Sequence, residues 1–481
     1  MYRPTSRLSI VVAFTLLLGT LSPPARANVG EAFGFGARNE ALAGAGAAWG
    51  FDGYAAYSNP AALALLTDKR LVFSYGFLVM QPDFYSIDHV VTNNNYTSDA
   101  SPATYGSVDT SYKATMGTAL GLGLRLFPEF FNLSAGVTVF LPVNQISYID
   151  TGEVYQPEYV LYRARTQRPQ IEIGTGADLG KHFFFGAGVH IGYGLTGNTT
   201  VFLNTDQTKI STMRFAATLK PKASPYLGIL LASSNSTLRG PTSDPDSPGA
   251  WTLGAVVRFA NNSPADITVN TATRTFGSSL PAFDFHFEAL AALYYDPFTA
   301  ELGWSMQTSP FNRIFLQLEY QRWSDYQSSA VTIQGPQTDK CSGSSCGLAI
   351  AGSNNPSYTF RDIVVPRVGN EFELNRSTAL RVGYTYHMSI FRDLPAGAGN
   401  YLDPPRHSFS AGVGFKFRHF IGFDTPNNVD IYASYERLVT QTISKSPGDE
   451  TGAAGDSKIG SPGYDAGGKI YGGGISLTLA F

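Results

Sequence analysis

Three arginines lie close together in LYRARTQRPQ, residues 161–170, at positions 163, 165 and 168. Arg163 and Arg165 are two residues apart, so on an extended segment their side chains point to the same face. A guanidinium group binds a carboxylate through two parallel hydrogen bonds, so the three arginines are a candidate site for an acidic head group. The alternative is that these are ordinary charged side chains at a loop tip or on the inner face of a sheet.

The two cysteines of the chain, Cys341 and Cys346, lie in KCSGSSCG. Their spacing predicts a disulfide that closes a small loop if the chain is exported. A metal site would need two further ligands, and none lies nearby in the sequence. The segment 192–197 matches the spacing G-x-G-x-x-G but ends an alternating run instead of opening a helix. The histidines are scattered, without H-E-x-x-H or G-x-S-x-G, so we expect no metal, no cofactor and no enzyme activity.

The first 27 residues predict a secretory signal peptide. Basic residues precede an apolar run at 9–21, and ARA at 25–27 fits a cleavage site. That run is about 13 residues long, whereas a membrane-spanning helix needs ~20. We therefore expect cleavage after Ala27 and a mature chain outside the cytoplasm.

The composition differs from that of an ordinary soluble protein. Only 15% of the 481 residues are charged, while 50 are Gly, 33 are Phe and 26 are Tyr. An average globular chain has ~25% charged residues. No later window holds about 18 consecutive apolar residues, so these proportions indicate an outer-membrane β-barrel. The net charge of −3 argues against nucleic-acid binding.

Alternation of apolar and polar residues predicts the strands of this barrel. Five apolar side chains share one face of the C-terminal segment YGGGISLTLAF, namely Tyr471, Ile475, Leu477, Leu479 and Phe481. A last strand that ends in an aromatic residue resembles the signal read by the machinery that assembles bacterial outer-membrane barrels. The same alternation marks residues 71–80, 115–127, 132–143, 169–180, 183–194, 251–260, 283–295, 298–306, 313–323, 378–388, 407–417 and 429–439. We predict an all-β fold, a transmembrane antiparallel barrel of about 14 strands (14 to 16 by count) over residues 69–481.

The connections fall into two groups. Tight connections are predicted at 128–131, 180–182 and 295–297, and long polar ones at 81–112, 235–250, 327–358 and 441–466. Short turns at one end and long loops at the other are typical of such barrels. The pattern leaves the strands between 197 and 235 unassigned.

About forty residues, 28–68, separate the cleavage site from the first predicted strand. They are too apolar for a linker, and their many small residues allow short helical turns to pack closely inside a tube. Pro60 ends any helix before it, because its ring clashes with the preceding residue and it has no N–H to donate. We therefore expect residues 28–68 to form a hatch that plugs the lumen.

Several motifs of this segment carry a family resemblance: Gly36-Ala37-Arg38, Ala43-Gly44-Ala45-Gly46, Asp52 and Asn59-Pro60-Ala61. In this order after a signal peptide they resemble the hatch of the FadL-type outer-membrane transporters of long-chain fatty acids and aromatic hydrocarbons. Residues 318–328, 380–389 and 403–417 resemble the late strands of that family. The segment Trp49-Gly50-Phe51 is bulkier than the residues usually found before the Asp, which leaves the ligand open.

The resemblance implies a passive transporter in the bacterial outer membrane that binds a hydrophobic ligand near the hatch. Phe33 and Phe35 are the first candidates to line the ligand site, and Trp49 and Phe51 follow. Burial of their apolar surface would favour binding by ~25 cal/mol per Å². The alternative is that these side chains only pack the hatch against the barrel wall.

Pro142 lies within the predicted third strand, where the resemblance places a break that releases ligand sideways into the membrane. A proline removes one ladder hydrogen bond from a wall that otherwise satisfies every backbone group. We therefore expect a lateral opening near residues 140–144. The alternative is a proline at the extracellular end of the strand, without effect on closure.

Two other functions are compatible with the sequence: a binding or assembly partner in protein export on the same fold, and an outer-membrane lipid hydrolase. The hydrolase would need a Ser and a His within hydrogen-bond reach at the outer face of the barrel. The expected partners are a hydrophobic ligand, outer-membrane lipid and the assembly machinery, with the protein a monomer.

Overall fold

The structure, a computed structural model, describes residues 34–50, 52–66, 71–91, 105–127, 133–143, 157–162, 168–180, 182–204, 209–233, 248–274, 284–326, 332–338, 358–393, 401–420, 423–446, 459 and 461–481. The predicted signal peptide lies outside these ranges. The same holds for six residues singled out from the sequence: Phe33, Phe51, Arg163, Arg165, Cys341 and Cys346.

Short helices come first and strands make up nearly all the rest. The helices are α1 (Ala37–Ala41), α2 (Ala55–Ser58) and a 3₁₀ helix (Pro60–Leu65). The strands are β1 (Leu71–Phe84), β2 (Ile87–Val91), β3 (Tyr105–Val108), β4 (Thr115–Phe127), β5 (Leu133–Pro142), β6 (Glu158–Tyr159), β7 (Gln170–Asp178), β8 (Phe183–Asn204), β9 (Lys209–Ala232), β10 (Trp251–Arg258), β11 (Asn261–Arg274), β12 (Asp284–Asp296), β13 (Phe298–Ser309), β14 (Asn312–Arg322), β15 (Thr332–Thr338), β16 (Thr359–Phe360), β17 (Ile363–Asn375), β18 (Thr378–His387), β19 (Phe391–Asp393), β20 (Tyr401–Leu402), β21 (Arg406–Phe420), β22 (Phe423–Ser444) and β23 (Gly463–Ala480).

Fourteen of these strands close into an antiparallel barrel, in the order β1, β4, β5, β7, β8, β9, β10, β13, β14, β17, β18, β21, β22 and β23. The last strand closes the barrel because β23 pairs with β1 from Ala480 opposite Val72 to Gly468 opposite Phe84. The predicted fold class and strand number are confirmed. The sequence pattern missed β17, since Pro366 and Gly369 interrupt its alternation.

The two ends of the barrel differ. Hairpin connections after β4, β7, β13, β17 and β21 lie at one end, which we call the turn end. The C-terminus lies there too, where the Phe481 N–H donates to the Leu71 carbonyl at 2.9 Å. The opposite end, the loop end, holds the connection between β1 and β4.

Two predicted connections are placed differently from the expectation. The strand directions put the β9–β10 connection at the turn end, with Ser233 N donating to the Trp251 carbonyl at its base at 2.9 Å. Grouping 235–250 with the long loops was therefore wrong. Residues 295–297 are no hairpin either, because β12 and β13 run in the same direction on each side of them.

This second difference arises from a sheet that extends the wall beyond the barrel at the loop end. The hairpin of β8 and β9, with strands of 22 and 24 residues, continues past the neighbouring strands. The strand β11 adds to β8 in parallel and to β12 in antiparallel, and β12 pairs with β15. The segment left unassigned from the sequence, between 197 and 235, covers the end of β8 and all of β9.

Side chains alternate between a lipid-facing outer surface and the lumen. The exposed large apolar residues of the barrel strands include Leu124, Ile173, Val189, Leu302, Leu318, Val368, Val382, Phe415, Ile431 and Ile475. An outward apolar band of this kind is what a membrane barrel requires. Among the described residues, no helix combines the length and the hydrophobicity needed to cross a membrane.

The lumen is filled by residues 34–66, which we call the lumenal segment. Its helices contact strands on several sides of the barrel, including β5, β7, β8, β21 and β22. Of its C-terminal residues, 60–66 are all buried. The core of the molecule therefore lies between this segment and the inward face of the wall.

Candidate functional site

The lumenal segment fits the barrel because the wall carries glycine where the two backbones approach. A Cβ atom added to Gly186 would lie 2.2 Å from the Ala61 nitrogen, and one added to Gly254 would lie 2.0 Å from the Ala47 oxygen. At further glycines an added Cβ would lie about 3 Å or less from atoms of the segment: Gly121, Gly136, Gly176, Gly228, Gly303, Gly369, Gly383 and Gly412. The absence of side chains on this ring of the wall therefore makes room for the segment's backbone.

Asn59 joins the two parts of the segment to each other and to the wall. Its fully buried side-chain amide donates to the Ala47 carbonyl at 2.7 Å and to the Ile229 carbonyl of β9 at 3.1 Å. Its Oδ1 accepts from the Ala61 nitrogen at 3.0 Å and so caps the 3₁₀ helix. Pro60 is the first residue of that helix, where no N–H is needed. The motif Asn59-Pro60-Ala61 thus fixes the turn that seats the C-terminal part of the segment.

Charged groups hold the N-terminal part of the segment. Arg38 of α1 makes two hydrogen bonds to Glu371 of β17, at 3.0 and 2.8 Å. Glu371 also accepts from Arg381 at 2.5 Å, and Arg381 donates to Asp430 at 2.6 Å. These contacts form a buried row of alternating charge across β17, β18 and β22, which ends at the segment.

Two further arginines of the wall reach the backbone of the segment. Arg367 donates to the Ala43 carbonyl at 3.2 Å and to Glu319 at 2.6 Å. Arg258 donates to the Tyr57 carbonyl and pairs with Glu301 at 3.1 Å. Both guanidinium groups therefore satisfy carbonyls that short helices leave without intrahelical partners.

Small polar cavities lie beside the N-terminal part. One of about 60 Å³ is lined by residues that include Glu40, Arg367, His387 and Arg406. Glu40 and Arg367 also border a second cavity of about 50 Å³. Spaces of this size hold a few water molecules rather than a long alkyl chain.

The predicted ligand residues Phe35 and Trp49 lie apart. Phe35 is 2% exposed, and its ring centroid is 4.2 Å from that of Tyr57 and 6.2 Å from that of Phe140 on β5. Trp49 packs on β14 instead, with the Arg313 guanidinium 3.8 Å from its ring centroid. Of these two residues, only Phe35 faces the wall beside Pro142.

The ladder at Pro142 is intact on one side only. Towards β4, pairing continues to Pro142 opposite Gly117, and the Val143 nitrogen donates to the Met116 carbonyl at 2.9 Å. Towards β7, pairing ends two residues earlier, at Phe140 opposite Gln170. The described strands β5 and β7 therefore part at the level of the Phe35–Phe140 contact.

Across the gap from β5, polar side chains line the wall at β7 and β8. Arg168, the third arginine of the sequence cluster, forms a buried ion pair with Asp296. His190 Nδ1 lies 2.9 Å from the Glu172 carboxylate, and its Nε2 lies 3.5 Å from Asp296. This row braces β7 and β8 against the end of β12.

Comparisons with known proteins match this geometry. No family model matches the chain. Over 459 residues it is 23% identical to a protein of Marinobacter nauticus named alkane uptake protein A, with 94% of each chain covered. A FadL homologue of Pseudomonas aeruginosa superposes with a TM-score of 0.51 at 15% identity, covering 95% of this chain and 99% of the other. The toluene transporter TodX of Pseudomonas putida gives 0.50 at 13% identity, covering 93% and 98%.

The chain has the FadL fold. The resemblance predicted from the hatch motifs is confirmed at the level of the fold. Seating of residues 34–66 in the lumen fits the hatch expected of a FadL-type barrel. The outer limits of that hatch, at 28 and 68, stay predictions.

Two acidic groups of the lumenal segment are shifted towards the neutral form in this FadL-type barrel. Burial raises the pKa of Glu40 to about 8, although the nearby Arg367 opposes the shift. Burial also raises the pKa of Asp52 to about 6, against the stabilising hydrogen bond from the Tyr54 nitrogen. Glu40 borders both polar cavities, and Asp52 lies just after residues 34–50.

The ring of inward glycines is the part of the candidate site that the sequence reasoning missed. The high glycine content was attributed to the barrel class alone. A more specific signal was present, because GLG at 121–123, GTG at 174–176 and GAG at 186–188 place glycine on one face of three predicted strands. Glycine repeated on a single face indicates close approach of another backbone.

Proposed function

We propose that the protein is a passive transporter that takes hydrophobic compounds, either long-chain fatty acids or hydrocarbons, across the bacterial outer membrane. The observation that carries the proposal is the meeting of Phe35 with Phe140 at the point where β5 and β7 part. The names of the similar proteins, an alkane uptake protein and a toluene transporter, support the substrate class. None of these names describes an enzyme, and the proposal requires no catalytic step or cofactor.

The proposed route avoids a water-filled pore. An apolar compound gains nothing from water in a channel, because its free energy falls only when its surface leaves water. At the loop end the described wall carries a cluster of packed rings, namely Tyr295, Trp323, Tyr326, Tyr358, Phe360 and Phe391. These rings pack against one another above the lumenal segment, and five of them are buried, so we propose that a descending ligand passes beside this cluster.

The ligand then binds beside Phe35 and displaces the N-terminal part of the segment. Phe33 lies two residues before Phe35 and is proposed to take part, while Trp49 and Phe51 stay secondary candidates. Release follows between β5 and β7 near Pro142, whose ring supplies no ladder N–H. Outside this gap Leu141 and Val143 are exposed to lipid, so the ligand leaves directly into the membrane.

Uptake measurements test the proposed function. Radiolabelled palmitate, hexadecane and toluene are each supplied to cells that lack their own transporter and that express the intact protein or a variant without residues 28–36. We expect uptake of at least one compound by the intact protein and its loss on deletion. A correctly inserted barrel that takes up none of the three would contradict transport and favour the binding or assembly role.

A disulfide lock tests the exit. Continuing the β5–β7 register puts Leu141 opposite Pro169, so Leu141→Cys with Pro169→Cys joins the strands across the gap. The matched control is Val137→Cys with Ile173→Cys, which joins the same strands where they already pair. In a background with Cys341→Ser and Cys346→Ser, we expect the first lock to stop uptake until it is reduced and the control to transport normally. Undiminished uptake through the oxidised first lock would exclude this exit.

A further inference from the structure

The wall beside Phe35 carries polar side chains that are buried without protein partners. Thr138 of β5 and Gln170 of β7 are 0% exposed, and Glu172 of β7 is 1% exposed. Within the described part of the chain, the Thr138 hydroxyl, both amide atoms of Gln170 and Oε2 of Glu172 have no hydrogen-bond partner. Polar atoms in such positions lose their water without receiving a replacement, which is unfavourable.

These atoms belong to one patch. Thr138 is the Cα partner of Glu172, and Phe140 is the Cα partner of Gln170. All four side chains point to the lumen, and directly opposed side chains on one face of a sheet lie within contact range. Phe140 in turn touches Phe35. The polar patch therefore adjoins the proposed apolar ligand site on the turn-end side of the gap.

The lumenal segment borders the same patch. The Tyr57 ring packs against Phe35 in a tilted arrangement with 4.2 Å between the ring centroids, and the charge of Glu172 is one of those that act on the Tyr57 hydroxyl. Burial is the main cause that raises the pKa of Tyr57 well above its ordinary value. The patch is thus enclosed between the wall and α2, away from bulk water.

The charges around the patch select among head groups. Glu172 Oε1 is engaged with His190, and the Arg168 guanidinium is engaged with Asp296. A ligand carboxylate would place a further negative charge beside the free oxygen of Glu172, which is unfavourable in a buried site. A hydroxyl group fits better, because it donates to Glu172 Oε2 and accepts from the Gln170 amide or Thr138.

We propose that Thr138, Gln170 and Glu172 form a polar end of the ligand site that binds the hydroxyl group of a long-chain alcohol. This inference rests on the proposed function and narrows it, since a pure alkane leaves the patch unsatisfied. It makes Gln170 a specificity-determining residue for oxygen-bearing substrates.

Equilibrium binding to the purified protein in detergent tests this. Radiolabelled 1-dodecanol, dodecane and dodecanoate are measured on the wild type and on Gln170→Leu, which keeps the side-chain volume and removes the amide. Because each ligand is compared between two proteins in the same micelles, its partition into detergent cancels. We expect dodecanol affinity to fall by roughly tenfold in the variant while dodecane affinity stays within about twofold.

Thr138→Val supplies a second variant with the same expected direction and a smaller loss of dodecanol affinity. Its matched control is Thr175→Val on the lipid-facing side of β7, which is expected to change neither ligand. An unchanged dodecanol affinity in both lumenal variants, or an equal loss for dodecane, overturns the inference. So does a larger loss for dodecanoate than for dodecanol. If the wild type binds none of the three compounds, the proposed function itself fails.

Discussion

The two parts of the lumenal segment are held by different forces. Residues 52–66 press against glycines of β4, β5, β7, β8 and β9, and their helical residues are almost entirely apolar. Residues 34–50 also meet wall glycines, but the Arg38–Glu371 ion pair and the contact from Arg367 to the Ala43 carbonyl join them to β17. Residues 52–66 have an arginine contact as well, from Arg258 to the Tyr57 carbonyl, but their helices pack mainly against the glycines. Residues 34–50 also border the two polar cavities.

The difference separates a fixed part from a movable one. Backbone-to-backbone packing is lost as soon as the spacing changes, because dispersion falls steeply with distance. Buried ion pairs balance large opposing terms, so their net contribution to the bound position is small. Water-sized spaces beside residues 34–50 also leave room for displacement. A ligand that binds beside Phe35 therefore displaces residues 34–50, whose displacement requires less free energy than that of residues 52–66.

The largest expected effect comes from filling the glycine contact of the fixed part. Gly186→Val places a Cβ 2.2 Å from the Ala61 nitrogen, and neither backbone can yield without breaking the sheet or the 3₁₀ helix. We expect a loss of about 3 kcal/mol or more in stability, since overpacking against rigid backbone is poorly tolerated. Thermal unfolding and limited proteolysis of the lumenal segment measure this.

The control for this substitution is Gly473→Val on β23. A Cβ there meets only the Tyr432 carbonyl oxygen, at 3.3 Å. The same side chain in the same barrel should lower the melting temperature much less. Equal losses at both positions would mean that valine destabilises the strands in general. The loss at Gly186 would then not report on the packing of the fixed part.

A smaller and more local effect is expected at the charged contact. Glu371→Gln removes the carboxylate shared by Arg38 and Arg381 and leaves the buried Arg381 guanidinium beside the partly buried one of Arg38. Breaking such a pair costs about 3 kcal/mol, so hydrogen exchange in residues 37–46 should accelerate by roughly a hundredfold. Exchange in residues 55–66 should stay unchanged if the two parts are independent.

Glu373→Gln provides the matched control two residues further along β17. Its carboxylate pairs with Lys416 at 2.7 Å, but both side chains keep more than a fifth of their surface exposed. Exposed pairs of this kind contribute about 0–1 kcal/mol, so exchange in the segment should not respond. Faster exchange in residues 55–66 of the Glu371 variant would show that the segment moves as one body.

Sequence reasoning reached the barrel and the hatch because both depend on local signals. Period-two alternation, the terminal aromatic at Phe481 and the turn residues around Pro60 each act over a few positions. The sheet that β11, β12 and β15 form beyond the barrel could not be predicted from local patterns. The parallel pairing of β11 with β8 joins residues some seventy positions apart, such as Ala265 and Leu195. The row from Arg38 to Asp430 could not be found for the same reason.

The candidate ligand residues show the same limit. Phe35 and Trp49 are similar in type and near in sequence, yet the structure turns one towards β5 and the other towards β14. The path of the chain through α1 decides which strand each ring faces, and this path cannot be predicted from the residue types alone. Arg168 was grouped with Arg163 and Arg165 as a possible carboxylate site, although the fold engages it with Asp296.

The smallest expected effect is a pH dependence of stability whose portion above pH 6 comes from the movable part. Glu40 lies in residues 34–50, with Arg367 and Glu436 acting on its charge and His387 and Arg406 bordering the same cavity. Burial raises its pKa from 4.5 to about 8, so the seated segment prefers the protonated carboxyl. Its stabilising contribution is complete below pH 4.5 and is lost as the pH rises through about 8, which is the direction that linkage requires for a raised pKa.

Asp52 follows the same rule over a lower range, from 3.8 to about 6. Thermal stability of the wild type should therefore fall between pH 4 and 8, and Glu40→Gln should remove all of the fall above pH 6 together with part of the fall between pH 4.5 and 6. Asp52→Asn is the complementary control, because it should reduce the fall below pH 6 and leave the fall above pH 6 unchanged. A Glu40→Gln protein that keeps the full decline above pH 6 would assign that decline to the wall rather than to the movable part. The seating of residues 34–50 would then not depend on pH, and only ligand binding would displace these residues.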